Sequence, residues 1–223
     1  MARGYLHANP AMTLLPALSF GFVLGMRHAT DADHIAAIGT IVAGARSARR
    51  AALVGATWGL GHSMSVLLVG GALVAFQLTM PIRVALALEF GVAIMLIALG
   101  VRSLVVRRRE STEVSAKRPL FIGIVHGMAG SAVLALLVLG TTTSALTAAL
   151  YLVCFCIGTI AGMAAITTLL ALPTQLGSAR LISFERGIRV IAGCASLALG
   201  LAMAHKVGVR DGLFAATPTW SSE

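Results

Sequence analysis

Residues 25–35 read GMRHATDADHI, and they place five ionisable side chains inside a segment that is otherwise apolar enough to span a bilayer. A charged side chain at the centre of a membrane helix costs at least about 2.5–3.5 kcal/mol on insertion scales. A cluster of such residues therefore indicates a functional site within the membrane. Two of the side chains are imidazoles and two are carboxylates, which together form a suitable ligand set for a divalent transition metal.

The composition around this cluster is that of an integral membrane protein. Hydrophobic residues make up 58% of the 223 residues and charged residues only 11%, far from the usage of soluble domains. The formal net charge is +9, but the basic residues lie mainly in short connections with few aromatic residues between them. This pattern favours loops at a membrane surface over nucleic-acid binding. The expected partners are thus a lipid bilayer and a metal ion, and no nucleic acid.

Six segments are long and apolar enough to cross the hydrocarbon core, which takes about 20 residues. They span residues 12–45, 51–76, 82–106, 119–140, 145–172 and 185–205. Basic residues concentrate in the connections after the first, third and fifth segments, and few lie on the other side. The positive-inside rule then predicts a multi-pass protein of the cytoplasmic (inner) membrane with both termini outside the cytoplasm.

The chain divides into two equal sets of three segments. We treat 1–223 as a single transmembrane domain with halves 1–106 and 119–206, a basic cytoplasmic loop at 107–118 and a polar tail at 207–223. An odd number of crossings per half gives the second half the opposite orientation, as in an inverted repeat. GFVLGM at 21–26 resembles GIVHGM at 123–128, which supports duplication. The predicted fold class is an all-α polytopic membrane protein with two inverted three-helix halves.

The first segment is too long for one straight helix. Its 34 residues would overrun the bilayer at about 1.5 Å per residue, so we expect it to be tilted or broken near the cluster. His28, Asp33 and His34 are five and six positions apart and would point in different directions on a regular helix. For these side chains to meet at one ion, the backbone must unwind locally. Otherwise only a subset binds and other segments supply the remaining ligands.

Each residue of the cluster also has a structural interpretation. Two neutral histidines and two carboxylates would balance the charge of a divalent cation. Alternatively, Arg27 pairs with Asp31 at i, i+4. This ion pair would not explain why His28, Asp33 and His34 lie in an apolar segment. We predict His28, Asp33, His34 and Asp31 as metal-site residues, and we place Arg27 beside the pathway or in support of the ligands.

Later segments carry four more candidates. His62 lies among small residues in the second segment, where it could bind the metal or simply pack, and we predict it as a ligand with Ser63 orienting it or lining the path. His126 in the fourth segment could be a ligand or a gate residue. Glu89 in the third segment could relay protons or cations, or could extend toward the surface. We assign Ser63, His126 and Glu89 to the pathway or the ligand support.

The string RHATDADHIAAI at 27–38 resembles the signature of the nickel/cobalt transporter family. LGHS at 60–63 resembles that family's second motif, and HGMAGS at 126–131 resembles a segment of its short, urease-associated branch. The resemblance implies that His28, Asp33 and His34 handle the metal, with Asp31 and His62 as close partners. It also implies uptake of Ni²⁺ or Co²⁺ as a transported substrate, with no permanently bound cofactor.

Three functional alternatives remain at this point. The chain has six candidate segments where longer family members have eight, and this leaves the later ligands and the direction of transport open, so efflux is one alternative. The loop at 107–118 has no histidine, which favours uptake. An intramembrane metalloenzyme is a second alternative, although no HExxH motif is present, and a metal sensor is the third. The sequence also leaves open a homo-oligomer or an accessory subunit. We predict a transporter and not an enzyme.

Overall fold

The structure is a computed structural model that describes residues 10–42, 47–76, 78, 80–105, 116–141, 145–172 and 181–219. Regular structure within these ranges is helical throughout. The helices are α1 Pro10–His28, α2 Ala32–Val42, α3 Ala48–Ser65, α4 Gly71–Ala75, α5 Ile82–Val105, α6 Lys117–Thr141, α7 Ala145–Ala171 and α8 Leu181–His205. A π-helical segment, Val66–Gly70, joins α3 to α4, and another, Lys206–Arg210, extends α8. Most of the predicted loop at 107–118 lies outside the described residues.

Four helical stretches among the described residues are long and apolar enough to cross a membrane. They are Ala48–Leu73, Ile82–Val105, Leu146–Ala171 and Arg186–Arg210. These stretches and the all-helical structure agree with the predicted class of an all-α membrane protein. Large apolar side chains such as Ile94, Ile157 and Ile191 are exposed on their outer surfaces, as expected where lipid replaces water as the solvent.

The first predicted segment is two helices, because α1 ends at His28 and α2 begins at Ala32. The backbone tightens between them: the amide of Thr30 donates to the carbonyl of Arg27 at 2.8 Å, and that of Asp31 donates to His28 at 3.1 Å. These i→i−3 bonds replace the regular helical pattern. The Thr30 hydroxyl also donates to the Arg27 carbonyl at 2.6 Å. The turn at residues 29–31 thus interrupts the regular helix between α1 and α2.

The main contacts between the described helices remain the same when the two halves are exchanged, although the smaller contact of α2 with α5 has no equally extensive counterpart between α6 and α8. The first segment (α1 and α2) contacts the fifth (α7), and correspondingly the fourth (α6) contacts the second (α3). The second segment also contacts the fifth, and the third (α5) contacts the sixth (α8); each of these pairs maps onto itself. The contact of α2 with α8 corresponds to that of α6 with α5.

Glycines permit the closest of these helix contacts. A Cβ atom at Gly25 would collide with the carbonyl oxygen of Phe155 on α7, and one at Gly127 would collide with that of His62 on α3. Small residues at such positions let membrane helices approach backbone to backbone. The approach at Gly127 matters for function, because it brings α6 against α3 next to His62.

Candidate metal centre

The turn between α1 and α2 brings the motif's side chains together. The rings of His28 and His34 lie with their centroids 4.5 Å apart, although the two residues are six positions apart. Asp33 lies in the first turn of α2, where its Oδ1 accepts a hydrogen bond from the His34 backbone amide at 2.9 Å. The same oxygen lies 3.0 Å from His34 Nδ1. A carboxylate in this position also interacts favourably with the positive end of the helix dipole.

Helix α3 contributes a third imidazole to this group. His62 Nε2 lies 3.2 Å from His28 Nε2, and its ring centroid lies 5.3 Å from that of His34. His62 is buried. Two ring nitrogens that face each other at this distance either share one proton or are both available to a cation placed between the helices.

Helix α6 contributes a fourth imidazole from the second half of the chain. His126 Nε2 lies 2.9 Å from Asp33 Oδ2, and the ring centroids of His126 and His34 are 4.2 Å apart. The single carboxylate of Asp33 therefore contacts two histidines, one through each oxygen. His126, which the sequence assigns to the pathway or the ligand support, lies as close to Asp33 as His34 does.

These side chains form two overlapping groups with metal-ligand geometry. One consists of His28, His34 and His62, and the other of Asp33, His34 and His126; the potential ligand atoms of each group lie within 4.8 Å of one another. His34 belongs to both. Within the described residues, the buried His34 Nε2, His62 Nδ1 and His126 Nδ1 have no hydrogen-bond partner. Leaving a buried polar nitrogen unsatisfied is costly, and a bound cation would satisfy such a nitrogen by coordination.

A cavity of about 140 Å³ adjoins the groups. The four histidines and Asp33 line one part of it, and Glu89, Val92, Ala129 and Met203 line the rest. Glu89 is half-buried on α5. The predicted pathway residue thus lines the same space as the ligands, so a cation in this cavity would meet a carboxylate as well as the imidazoles.

The remaining predicted residues occupy supporting positions. Asp31 Oδ2 lies 2.9 Å from His28 Nδ1, and the Asp31 side chain is 53% exposed. This contact fixes the His28 ring so that Nε2 faces inward, as carboxylates commonly do for metal-binding histidines. Asp31 pairs with His28, and not with Arg27 as in the alternative interpretation; Arg27 is exposed. The Ser63 hydroxyl donates to the Cys156 carbonyl at 3.3 Å, so it connects α3 to α7.

Two aromatic residues next to the site were not singled out from the sequence. Trp58 lies with its ring centroid 5.5 Å from His34 and 5.7 Å from His126. Phe155 lies 5.5 Å from His28 by the same measure. The spacing offers a signal for Trp58, because it precedes His62 by four positions and must share its helix face. For Phe155 the sequence offers no comparable signal.

Two comparisons with known proteins found relatives of this chain. The family profile described as "NicO: High-affinity nickel-transport protein" matches residues 14–110, which include His28, Asp33, His34 and His62. The "Urease accessory protein UreH" of Bacillus sp. (strain TB-90) is 34% identical over 220 residues, covering 90% of this chain and 96% of that protein. No solved structure matches the chain.

The helical membrane fold and these two comparisons identify an integral membrane protein of the transporter class, and not an enzyme. More particularly, the chain belongs to the NicO nickel-transport family, in the branch that contains UreH.

Proposed function

We propose that this protein carries Ni²⁺, and Co²⁺ through the same ligands, into the cell across the cytoplasmic membrane. The observation that carries the proposal is the group of four imidazoles and one carboxylate between α1, α2, α3 and α6. His34, His62 and His126 are buried there, and His28 and Asp33 are half-buried. Family membership supplies the second support, since the matched family is one of nickel transport. Imidazole nitrogen and carboxylate oxygen suit both metals, and cysteine, which favours copper(I), is absent from the group.

The proposed ligands are His28, Asp33, His34 and His62, with His126 joining them from α6. Asp31 holds the His28 ring in position from the exposed side. With the imidazoles neutral, the two carboxylates balance the charge of one divalent cation. The metal is a substrate that must leave again, so a flexible group of ligands serves transport better than a rigid closed site.

We further propose six crossings in two inverted halves within one transmembrane domain, with both termini outside the cytoplasm. The exchangeable packing pattern supports this topology, and so do two glycine pairs. Gly21 and Gly25 approach Tyr151 and Phe155 on α7, whereas Gly123 and Gly127, each 102 positions later, approach Trp58 and His62 on α3. The contacted residues also correspond, because Trp58 and Tyr151 are 93 positions apart, as are His62 and Phe155. Transporters with inverted repeats commonly bind their substrate where the halves meet.

Energy for uptake would come from an electrochemical gradient. The sequence contains no GxxxxGK[ST] motif for ATP binding. A membrane potential contributes about 2.3 kcal/mol per charge per 100 mV, so an interior-negative potential favours inward movement of a divalent cation strongly. This argues for a secondary permease that works without its own nucleotide site.

The deciding experiment measures radioactive nickel and cobalt accumulation at nanomolar concentration in cells that express the chain. His34→Ala should abolish accumulation, because His34 belongs to both ligand groups. His205→Ala is the matched control, since His205 is an exposed histidine at the end of α8. Both variants must be compared at equal abundance in the membrane. Mutual competition of the two metals would establish that they share one path.

Three results would overturn parts of the proposal. If the intact, well-expressed chain lowers the metal content of preloaded cells, the direction is efflux and not uptake. If it changes neither accumulation nor loss while the purified protein binds nickel, the chain is a sensor or an accessory subunit. Equal loss of accumulation in His34→Ala and His205→Ala would refute the assigned site.

A further inference from the structure

The helices that carry the buried histidines each have a large apolar residue one turn away on the same face. On α2 this is Ile38, four positions after His34; on α3 it is Trp58, four before His62. On α6 it is Ile122, four before His126. A separation of four residues places each about 6 Å along its helix from the ligand. Leu96 on α5 stands in the same relation to Val92, which lines the cavity.

The positions of the four residues along their helices place them in one layer. Ile38, Trp58, Leu96 and Ile122 are all buried, and their core cluster continues to Val92 and Ala129 beside the cavity. Met163 on α7 joins this cluster. The indole of Trp58 also contacts the rings of His34 and His126. We call Ile38, Trp58, Leu96 and Ile122 the apolar layer.

The apolar layer lies on one side of the ligands only. It is displaced toward the end of α2, the start of α3, the end of α5 and the start of α6. These helix ends adjoin the two basic stretches at 46–50 and 107–118. On the opposite side of the ligands the chain has a cavity instead, lined there by Glu89, Ala129 and Met203.

We propose that the apolar layer is the closed cytoplasmic gate of the transporter, so that the metal site here is open only toward the outer face. The assignment of the layer to the cytoplasmic side rests on the proposed function and topology. Packed apolar side chains leave no room for the hydration shell of a divalent cation and offer no ligands to replace it. Hydrophobic constrictions close channels in this way, by excluding water. Release into the cytoplasm then requires these four side chains to separate, while Glu89 and Met203 mark the outer vestibule.

The test uses a cysteine placed in the cavity as a reporter of access. Ala129→Cys lines the vestibule and lies on the outer side of the layer. The full-length variant is labelled with a membrane-impermeant methanethiosulfonate in sealed right-side-out and inside-out vesicles. The unsubstituted chain, with Cys154, Cys156 and Cys194, gives the background. In metal-free vesicles, where no ion is being released, we expect labelling from the outer face and none above background from the cytoplasmic face.

Truncating side chains of the apolar layer should give the reagent access to the cavity from the cytoplasmic face. Adding Leu96→Ala, or independently Ile122→Ala, should raise the cytoplasmic-face labelling rate by at least about tenfold, because water enters a widened constriction. Ile94→Ala on the same helix is the matched control, since Ile94 is exposed toward lipid. Unchanged outer-face labelling shows that a variant is folded. Because two layer variants are made independently, the test remains possible if one of them fails to fold.

Several outcomes would overturn the gate. They are labelling of Ala129→Cys from the cytoplasmic face, labelling from neither face, or no change in the two folded layer variants. Nickel flux into the same vesicles is measured separately with the unsubstituted chain. Absence of flux with one-sided labelling would refute the proposed function while the gate stands, so the two failures remain distinguishable.

Discussion

Asp33 Oδ2 lies 2.9 Å from His126 Nε2, and the two residues are 93 positions apart in the chain. The other oxygen of the same carboxylate contacts His34. One side chain thus joins the start of α2 to the middle of α6, which belong to opposite halves. Because of this bridge, a change at Asp33 affects both groups of potential ligands, whereas a change at Asp31 affects only the support of His28.

The first prediction compares these two carboxylates. Asp33→Asn should lower nickel affinity by at least about a hundredfold, because it removes an anionic ligand and the acceptor for two imidazoles. Asp31→Asn should lower affinity by about tenfold, as expected when only the orientation of a ligand is lost. Titration calorimetry of the purified proteins measures both. Equal losses of affinity in the two variants would show that Asp33 does not act as a ligand distinct from the supporting Asp31.

The second prediction concerns the ligand from the second half. His126→Ala should reduce the number of histidines that surround bound nickel, and X-ray absorption spectroscopy can count them. Affinity should fall as well, since a buried nitrogen ligand is lost. His205→Ala serves as the control, because His205 is exposed at the end of α8. An unchanged coordination shell in His126→Ala would assign His126 to structure alone.

The sequence predicted the break in the first segment. Two imidazoles and two carboxylates in an overlong apolar segment require a break if they are to meet, and the structure has its break at residues 29–31. The long-range part was beyond the sequence. Whether His126 reaches Asp33 depends on the register of α6 against α3, which side-chain packing determines. Spacing along one helix therefore could not separate a ligand from a gate residue at His126.

The supporting residues show the same limit. Asp31 could pair with Arg27 or His28 on helical spacing alone, and the turn after His28 brings it to the histidine. Ser63 neighbours His62 in sequence, but adjacent residues face different directions on a helix. Its hydroxyl consequently bonds to α7. The number and orientation of the membrane crossings likewise depend on the lipid bilayer and on the charges of the connecting segments, and not only on contacts between helices.

The third prediction tests the close approach of α6 and α3. Gly127→Ala should destabilise the protein by about 1–3 kcal/mol, because the added methyl group meets the His62 carbonyl. It should also weaken nickel binding by separating His126 from the other ligands. Gly91→Ala is the control, since a Cβ atom there has nothing within 4 Å. Thermal unfolding in detergent measures the stability of both variants. A Gly127→Ala protein as stable as Gly91→Ala would contradict the close approach of α6 to α3.

The last prediction addresses Glu89, the acidic residue of the outer vestibule. Glu89→Gln keeps the shape of the side chain but removes its charge, so it should raise the KM for nickel uptake by about threefold to tenfold through loss of local cation enrichment. The affinity of the histidine site itself, measured by calorimetry, should change far less, because Glu89 lines the cavity beyond the ligand groups. Glu89→Asp retains the charge and should keep the KM near that of the unsubstituted chain. Raising the salt concentration should narrow the difference in KM between the two variants, since dissolved ions screen a charge that borders a water-filled vestibule. If Glu89→Gln and Glu89→Asp have the same KM at low salt, the metal does not reach the histidines past this carboxylate.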